Sequence, residues 1–333
     1  PKAGVSAIQE LQMQTQEGKN VDVCAIEGDF DDAQTGVKKL FVDKAFTKNL
    51  QEKGVELSSA NSINIGRLIP QIVYYFYAYA SLVKKGEITT GEQVNFVVPT
   101  GNFGNILAGY YAKQLGLPVH KLICASNENH VLFDFMQTGI YDRKRALCKT
   151  DSPSMDILVS SNLERLLYDI SGEDNDYVKT LMKDLEEKGR YQVKKEMLEK
   201  IQEVFSYGYA TNEETRQTVK QVWEKEGYLL DPHTAVAYKV MMEDKDQKHK
   251  NIVLATASPY KFASSVYEAL GGQREEEEFA VMEKLAQKTG TRIPEGLKSL
   301  KTKSLLHQDC IKKEDMGQYV YEKITLIEGE EGR

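Results

Sequence analysis

Apolar residues recur along this chain in two patterns: short unbroken runs, and longer stretches at helical spacing. VDVCAIE, residues 21–27, reads as a buried strand. GDFDDAQTGVKKLFVDKAF follows, and its acidic start and spaced apolar residues (Val37, Leu40, Phe41, Ala45) predict a helix with carboxylates at its positive end. Residues 63–83 predict a second, apolar helix. VNFVVP, 94–99, is a strand, 105–115 a helix, and Gly116 with Pro118 a stop signal. KLICASN, 121–127, is the next strand. Residues 160–225 are charged and mostly helical in pattern, with KDLEEKGRYQVKKEMLEKIQEVF at the centre, as expected of a solvated helical face. From 231, DPHTAVAYKVM starts another helix, with Asp231 as cap and Pro232 at the first helical position. NIVLATASP, 251–259, is a late strand ending in Thr and Ser, and the charged tail EGEEGR reads as a frayed end.

Strands alternating with helices at this spacing imply an α/β fold with a mainly parallel sheet flanked by helices. Ligands of such sheets sit beyond the carboxyl ends of the strands. Two strand ends carry small polar residues, the 99–105 and 255–258 loops, and they are expected to converge on one site.

The 333 residues allow one large domain or two ordinary ones. A net charge of −7, without a basic stripe interleaved with aromatics, argues against nucleic acid as a partner. Cys24, Cys124, Cys148 and Cys310 show no CxxC spacing and read as free thiols in a reducing compartment, which suits the cytoplasm. The most apolar stretch, INIGRLIPQIVYYFYAYASLV, contains Arg67, Pro70 and Gln71 and reads as a buried helix rather than a membrane span. His120, His130, His249 and His307 are scattered without metal-ligand spacing, so no metal is expected. No signal peptide begins the chain, which starts PKAG without an initiator Met.

PTGNFGN supplies Gly101 and Gly104 for close backbone approach and free N–H groups at a helix start, where an anion is favoured. Neither GxxxxGK[ST] nor GxGxxG is present. On these residues alone a phosphate cup and a ligand-free strand-to-helix turn both stand. In NSINIGR, Asn64 and Arg67 are one helical turn apart, and an Arg beside amides suits a phosphate dianion or a structural carboxylate. Lys261 reads as a solvated or structural lysine, and His233 as a capping or core histidine.

Six blocks in order carry a resemblance: IEGDFDDAQ (26–34), SSANSINIGRL (58–68), PTGNFGN (99–105), SPSMDILVSSNLERL (152–166), DPHTAVAY (231–238) and ATASPYKF (255–262). Together they resemble threonine synthase, a fold-type II pyridoxal 5'-phosphate (PLP) family with a tryptophan synthase β-like architecture. The resemblance implies that Gly101, Asn102, Phe103, Gly104 and Asn105 cradle the PLP phosphate and that the Thr256 hydroxyl meets the pyridine nitrogen. It implies that Asn61, Ser62, Asn64 and Arg67 hold the phosphate of O-phosphohomoserine, which water converts to threonine and phosphate.

The family's Schiff-base lysine, in a Phe-Lys-Asp context, and its Ser-Gly-Asp-Thr-Gly block do not occur here, and PKAGVSAIQELQMQT resembles the segment just after them. The lysine is therefore expected upstream of Pro1, no catalytic residue is assigned within the chain, and the chain alone is expected to be inactive and poorly stable. Residues 1–57 would be the remainder of the small α/β domain, and 58–333 the large PLP-binding domain, with the charged helical segment at about 160–225. The alternatives are another fold-type II lyase resembling threonine dehydratase, or a truncated non-catalytic phosphate or PLP binder. The partner expected is a small molecule, not a membrane, and nothing in the pattern specifies an oligomeric state.

Overall fold

The computed structural model describes residues 2, 5–28, 30–62, 64–246, 248–273 and 277–331. Pro1, Ala3 and Gly4 of the opening segment, Asp29 of the IEGDFDDAQ block and the last two residues of the charged tail lie outside them. By internal contacts the chain forms two compact units: Pro1–Ser58 with Glu276–Arg333, and Ser59–Glu275. The sequence reading kept everything after 57 in one body. The structure instead groups the final segment with the first, because Ala25–Glu27 pairs in parallel with Cys310–Lys312.

In the first unit, strand structure is confined to Ala25–Glu27 of the expected 21–27 run, with Ile26 buried. The single helix expected to run through Ala45 is two, Phe30–Val42 and Lys44–Gln51. Asp43 divides them, because its carboxylate caps the second helix by accepting from the N–H groups of Ala45 and Phe46.

The second unit holds a four-stranded parallel sheet in the order Phe205–Tyr209, Val119–Ser126, Val94–Pro99, Lys250–Val253. Every residue of Val94–Pro99 is buried, as a central strand covered on both faces requires. Phe205–Tyr209 falls where the sequence pattern suggested helix. Its Ser206 and Gly208 hide the strand signal, and the pairing with Leu122–Ser126 creates it. Gly208 is required there, since a β-carbon would stand 2.6 Å from Val240 Cγ1.

The charged segment is otherwise helical: Leu163–Ile170, Asn175–Lys188, Lys195–Val204 and Asn212–Glu226. Leu181, Leu185, Met197 and Ile201 face the core, while pairs such as Lys183–Glu187 and Lys195–Glu199 run along solvated faces. A short strand, Arg190–Gln192, interrupts it and pairs antiparallel with Ile140–Asp142.

The apolar helix expected over 63–83 is broken into Ile65–Leu68, a 3-10 turn at Ile69–Gln71 and Ile72–Lys84, because Pro70 supplies no N–H to a continuous ladder. It is not buried all round. Leu68, Tyr75 and Tyr79 are buried, whereas Ile69, Val73 and Tyr77 are exposed. The late strand ends at Val253 rather than 259: Leu254 donates to the Val97 carbonyl at 3.0 Å, and the chain then leaves the sheet. No helix among the described residues is long and apolar enough to cross a membrane.

Candidate active site

Val94–Pro99 and Lys250–Val253 are adjacent and parallel, so the loops after them emerge at the same edge of the sheet. There they border a cavity of about 450 Å³ lined by Arg67, Pro70, Gln71, Tyr74, Asn105, Leu254, Ala255 and Thr256. Three sequence-predicted residues therefore meet: Arg67, Asn105 and Thr256. Thr256 lies past the strand end, in the loop, and is exposed to the cavity.

The 101–105 turn is tightly built. Phe103 adopts a left-handed conformation (φ 63°) just before the helix Gly104–Gln114. That is uncommon for a bulky residue and is sustained here because its ring is buried and packs against Phe205 at 5.7 Å. The sequence left this ring open between core and cofactor roles; it is a core aromatic under the turn. Among the described residues no protein group accepts from the backbone N–H groups of Gly101, Asn102, Phe103, Gly104 or Asn105. Successive free N–H groups at a left-handed turn and a helix start form an anion-binding concavity.

The carbonyls of the same turn are taken. Gly101 accepts the Ser160 hydroxyl at 2.8 Å. Asn102 accepts the Asn162 backbone N–H at 3.1 Å and its side-chain amide at 2.8 Å. Asn162 also donates to Ser62 Oγ at 2.9 Å, and Arg165 donates to the Ser62 carbonyl at 2.8 Å and to the Asn162 side chain. Both turn glycines allow close approach: a β-carbon would stand 2.6 Å from the Ser154 carbonyl oxygen at Gly101, and 2.8 Å from Ser62 Cβ at Gly104. Tyr75, wholly buried, donates to the backbone and side-chain oxygens of Asn105, and burial raises its phenol well above the usual range.

A second layer holds the 152–156 segment against the turn. Asp156 accepts from Asn127 at 2.7 Å, Asn129 at 2.9 Å and the Thr150 hydroxyl at 2.7 Å. His233 is a buried structural histidine, as expected: one ring nitrogen lies 3.0 Å from the Asp231 carboxylate, and the other accepts the Ser154 N–H at 3.3 Å. It thereby supports the carbonyl that abuts Gly101.

Not every predicted residue reaches the cavity. Asn64 is the N-cap of Ile65–Leu68, its carbonyl accepting from Gly66 N–H at 2.9 Å and its amide donating to the Ser59 carbonyl at 3.0 Å. Its side chain is used at the helix start rather than on the helix face that carries Arg67. Asn61 accepts the Ser59 hydroxyl at 2.7 Å, and Ser62 packs against Gly104. Lys261 lies over the Phe262 ring and does not line the cavity. Residue-by-residue reading missed Tyr75, Ser160, Asn162 and Arg165; the run of small polar residues SSN before a helix was the available signal.

Solved proteins share this arrangement of parallel sheet and flanking helices, and they place the fold in the fold-type II class of PLP enzymes. PLP-bound threonine synthase from Brucella melitensis superposes with a TM-score of 0.81 at 38% identity, over 97% of this chain and 63% of that one. Yeast threonine synthase gives 0.82 at 35% identity, over 98% of this chain and 64% of that one.

Residues 234–303 match the family model "Threonine synthase, C-terminal". Among curated relatives, threonine synthase-like 1 of Homo sapiens is 45% identical over 272 residues, and threonine synthase of Saccharomyces cerevisiae is 39% identical over 289. The chain is homologous to the threonine synthases along nearly its whole length. It spans 37% of the human relative and 55% of the yeast one, and so only part of the proteins it matches.

Proposed function

We propose that this chain is the cofactor-binding portion of a threonine synthase, a PLP-dependent carbon–oxygen lyase that converts O-phosphohomoserine and water to threonine and phosphate in a reducing, cytoplasmic setting. The observation that carries the reading is the unpaired N–H concavity of 101–105 opening beside a cavity that also contains Arg67 and Thr256. The residues present suit the cofactor. A dianionic phosphate satisfies five orphan donors at a helix start, and a neutral hydroxyl from Thr256 suits an unprotonated pyridine nitrogen.

When bound, PLP supplies the electron sink for carbanion chemistry at the substrate's α and β carbons. The chain's own residues bind and orient. Gly101, Asn102, Phe103, Gly104 and Asn105 hold the cofactor phosphate through the main chain. Arg67, exposed and already lining the cavity, offers a planar donor fork to the substrate phosphate. Ser62, with Asn162 and Arg165, keeps the concavity in shape. Asn61 and Asn64 act at the turn that presents Arg67.

In the threonine synthase family proton transfer falls to a lysine, and among the described residues none lines the cavity. The reading therefore assigns that lysine to a part of the whole protein outside this sequence and expects the chain alone to be inactive. Borohydride reduction of the chain with PLP, followed by peptide mapping, tests this. The expected result is phosphate-dependent PLP binding, much tighter than that of pyridoxal, without stoichiometric labelling of any lysine. One cleanly labelled lysine, or equal affinity for pyridoxal, overturns it.

A further inference from the structure

His120 and His249 are far apart in sequence, yet their rings stack with centroids 3.8 Å apart at 15°. Asp246 faces both, with Oδ2 2.8 Å from His249 Nδ1 and 3.6 Å from His120 Nε2. His120 is at the start of Val119–Ser126, and His249 directly precedes Lys250–Val253. The cluster thus lies at the amino ends of the strands, at the opposite edge from the 450 Å³ cavity.

Its carboxylate is oriented from behind. Asn95, wholly buried in the strand between the two histidine-bearing strands, donates to Asp246 Oδ2 at 3.0 Å. The Asn95 carbonyl is itself held by Lys121 N–H at 3.1 Å, and Lys248 N–H holds the other Asp246 oxygen at 3.0 Å. Metal sites use such second-layer hydrogen bonds to fix their ligands. The nearby cations are engaged elsewhere: Lys113 on the Val119 and His120 carbonyls, Lys121 on those of Gln202 and Glu203.

We propose that His120, Asp246 and His249 form a binding site for a divalent transition ion of the zinc class, with water completing a tetrahedron. Their donor atoms already lie within 4.8 Å of one another. A zinc tetrahedron needs about 3.4 Å between ligand atoms, so the widest-spaced pair closes by up to about 1.4 Å and the stacked imidazoles turn until both ring lone pairs point at the ion. Two imidazoles and one carboxylate select zinc, cobalt, nickel or copper over magnesium and calcium. The side chains are a fifth to a third exposed, which leaves an entry path. On binding, the ion takes the place of a proton between His249 Nδ1 and Asp246 Oδ2. That proton moves to His249 Nε2 or leaves to solvent. The ion would tie the loop that precedes the last strand of the sheet to the strand bearing His120.

Titration of the chelator-treated chain with Co²⁺, followed by visible ligand-field absorption and displacement by Zn²⁺, tests the proposal. One Co²⁺ per chain is expected. His120→Ala and His249→Ala should each weaken binding at least about tenfold, with metal-free melting profiles matching the parent. His249→Gln, which keeps the bulk, should do the same and serves if an alanine variant fails to fold. The proposal is overturned by absence of the spectrum at millimolar Co²⁺, by equal binding in the variants, or by loss of binding on cysteine alkylation.

Discussion

Ser62 leans against Gly104 so closely that a β-carbon on the glycine would stand 2.8 Å from Ser62 Cβ. The first residue of the helix that opens the concavity therefore has no room for any side chain. Gly104→Ala must displace either Ser62 or the turn, a strain of about 1–3 kcal/mol. We expect PLP affinity to fall by tenfold or more in a fluorescence titration, and Ser62→Gly to restore part of it in the double variant. Unchanged affinity in Gly104→Ala would remove the turn from the cofactor site.

Tyr75→Phe deletes the buried hydroxyl that donates to two oxygens of the half-buried Asn105 at 2.8 and 2.9 Å. Leaving those acceptors unmet costs about 1–3 kcal/mol. Denaturant melts should show that loss without a change in m-value.

Asp156→Asn removes the charge from the oxygen that accepts from Asn127, Asn129 and the Thr150 hydroxyl, and turns an NH2 toward the Thr150 backbone N–H that donates to the other oxygen at 2.9 Å. A loss of about 3 kcal/mol is expected. Because this network supports the 152–156 segment against Gly101, cofactor affinity should fall with it. A melt unchanged from the parent would show that the network does not support the turn.

Arg67 is exposed and lines the cavity, so its removal should spare the fold. Arg67→Ala is expected to weaken O-phosphohomoserine binding to the PLP-loaded chain by roughly tenfold or more, the worth of a charge-assisted contact. PLP affinity and melting temperature should stay as in the parent. Calorimetry separates the two ligands.

Burial pushes the Cys124 thiol up to about 12, while Cys148 and Cys310 are exposed. At pH 8 the folded chain presents almost no Cys124 thiolate, the reactive form. Iodoacetamide should therefore modify Cys148 and Cys310 first and reach Cys124 at the rate of unfolding. Raising the pH to 9 should still leave Cys124 unreactive. Labelling of Cys124 in step with Cys148 would contradict its burial.

Local chemistry was legible wherever a few adjacent residues suffice. Asp231 and Pro232 start a helix because one carboxylate and one fixed φ act within a single turn. VNFVVP is a central strand because an unbroken apolar run has to be covered on both faces. PTGNFGN announced a tight strand-to-helix turn through its glycines and its helix start, and the six ordered blocks announced the family. Asn64 was misread for the same local reason: three-residue spacing suggests a shared helix face, but a residue at the boundary becomes a cap.

Only the tertiary structure decided what depends on pairing across the chain. Phe205–Tyr209 is a strand because Val119–Ser126 offers it an edge, and nothing within FSYGY requires that. Thr256 and Asn105 share a cavity because their strands are neighbours, and His120 meets His249 because the same sheet order brings the strands' other ends together. Residue type and short-range spacing set caps, turns and strand tendency. Sheet order sets which distant side chains meet, because that choice rests on burying the whole apolar surface at once.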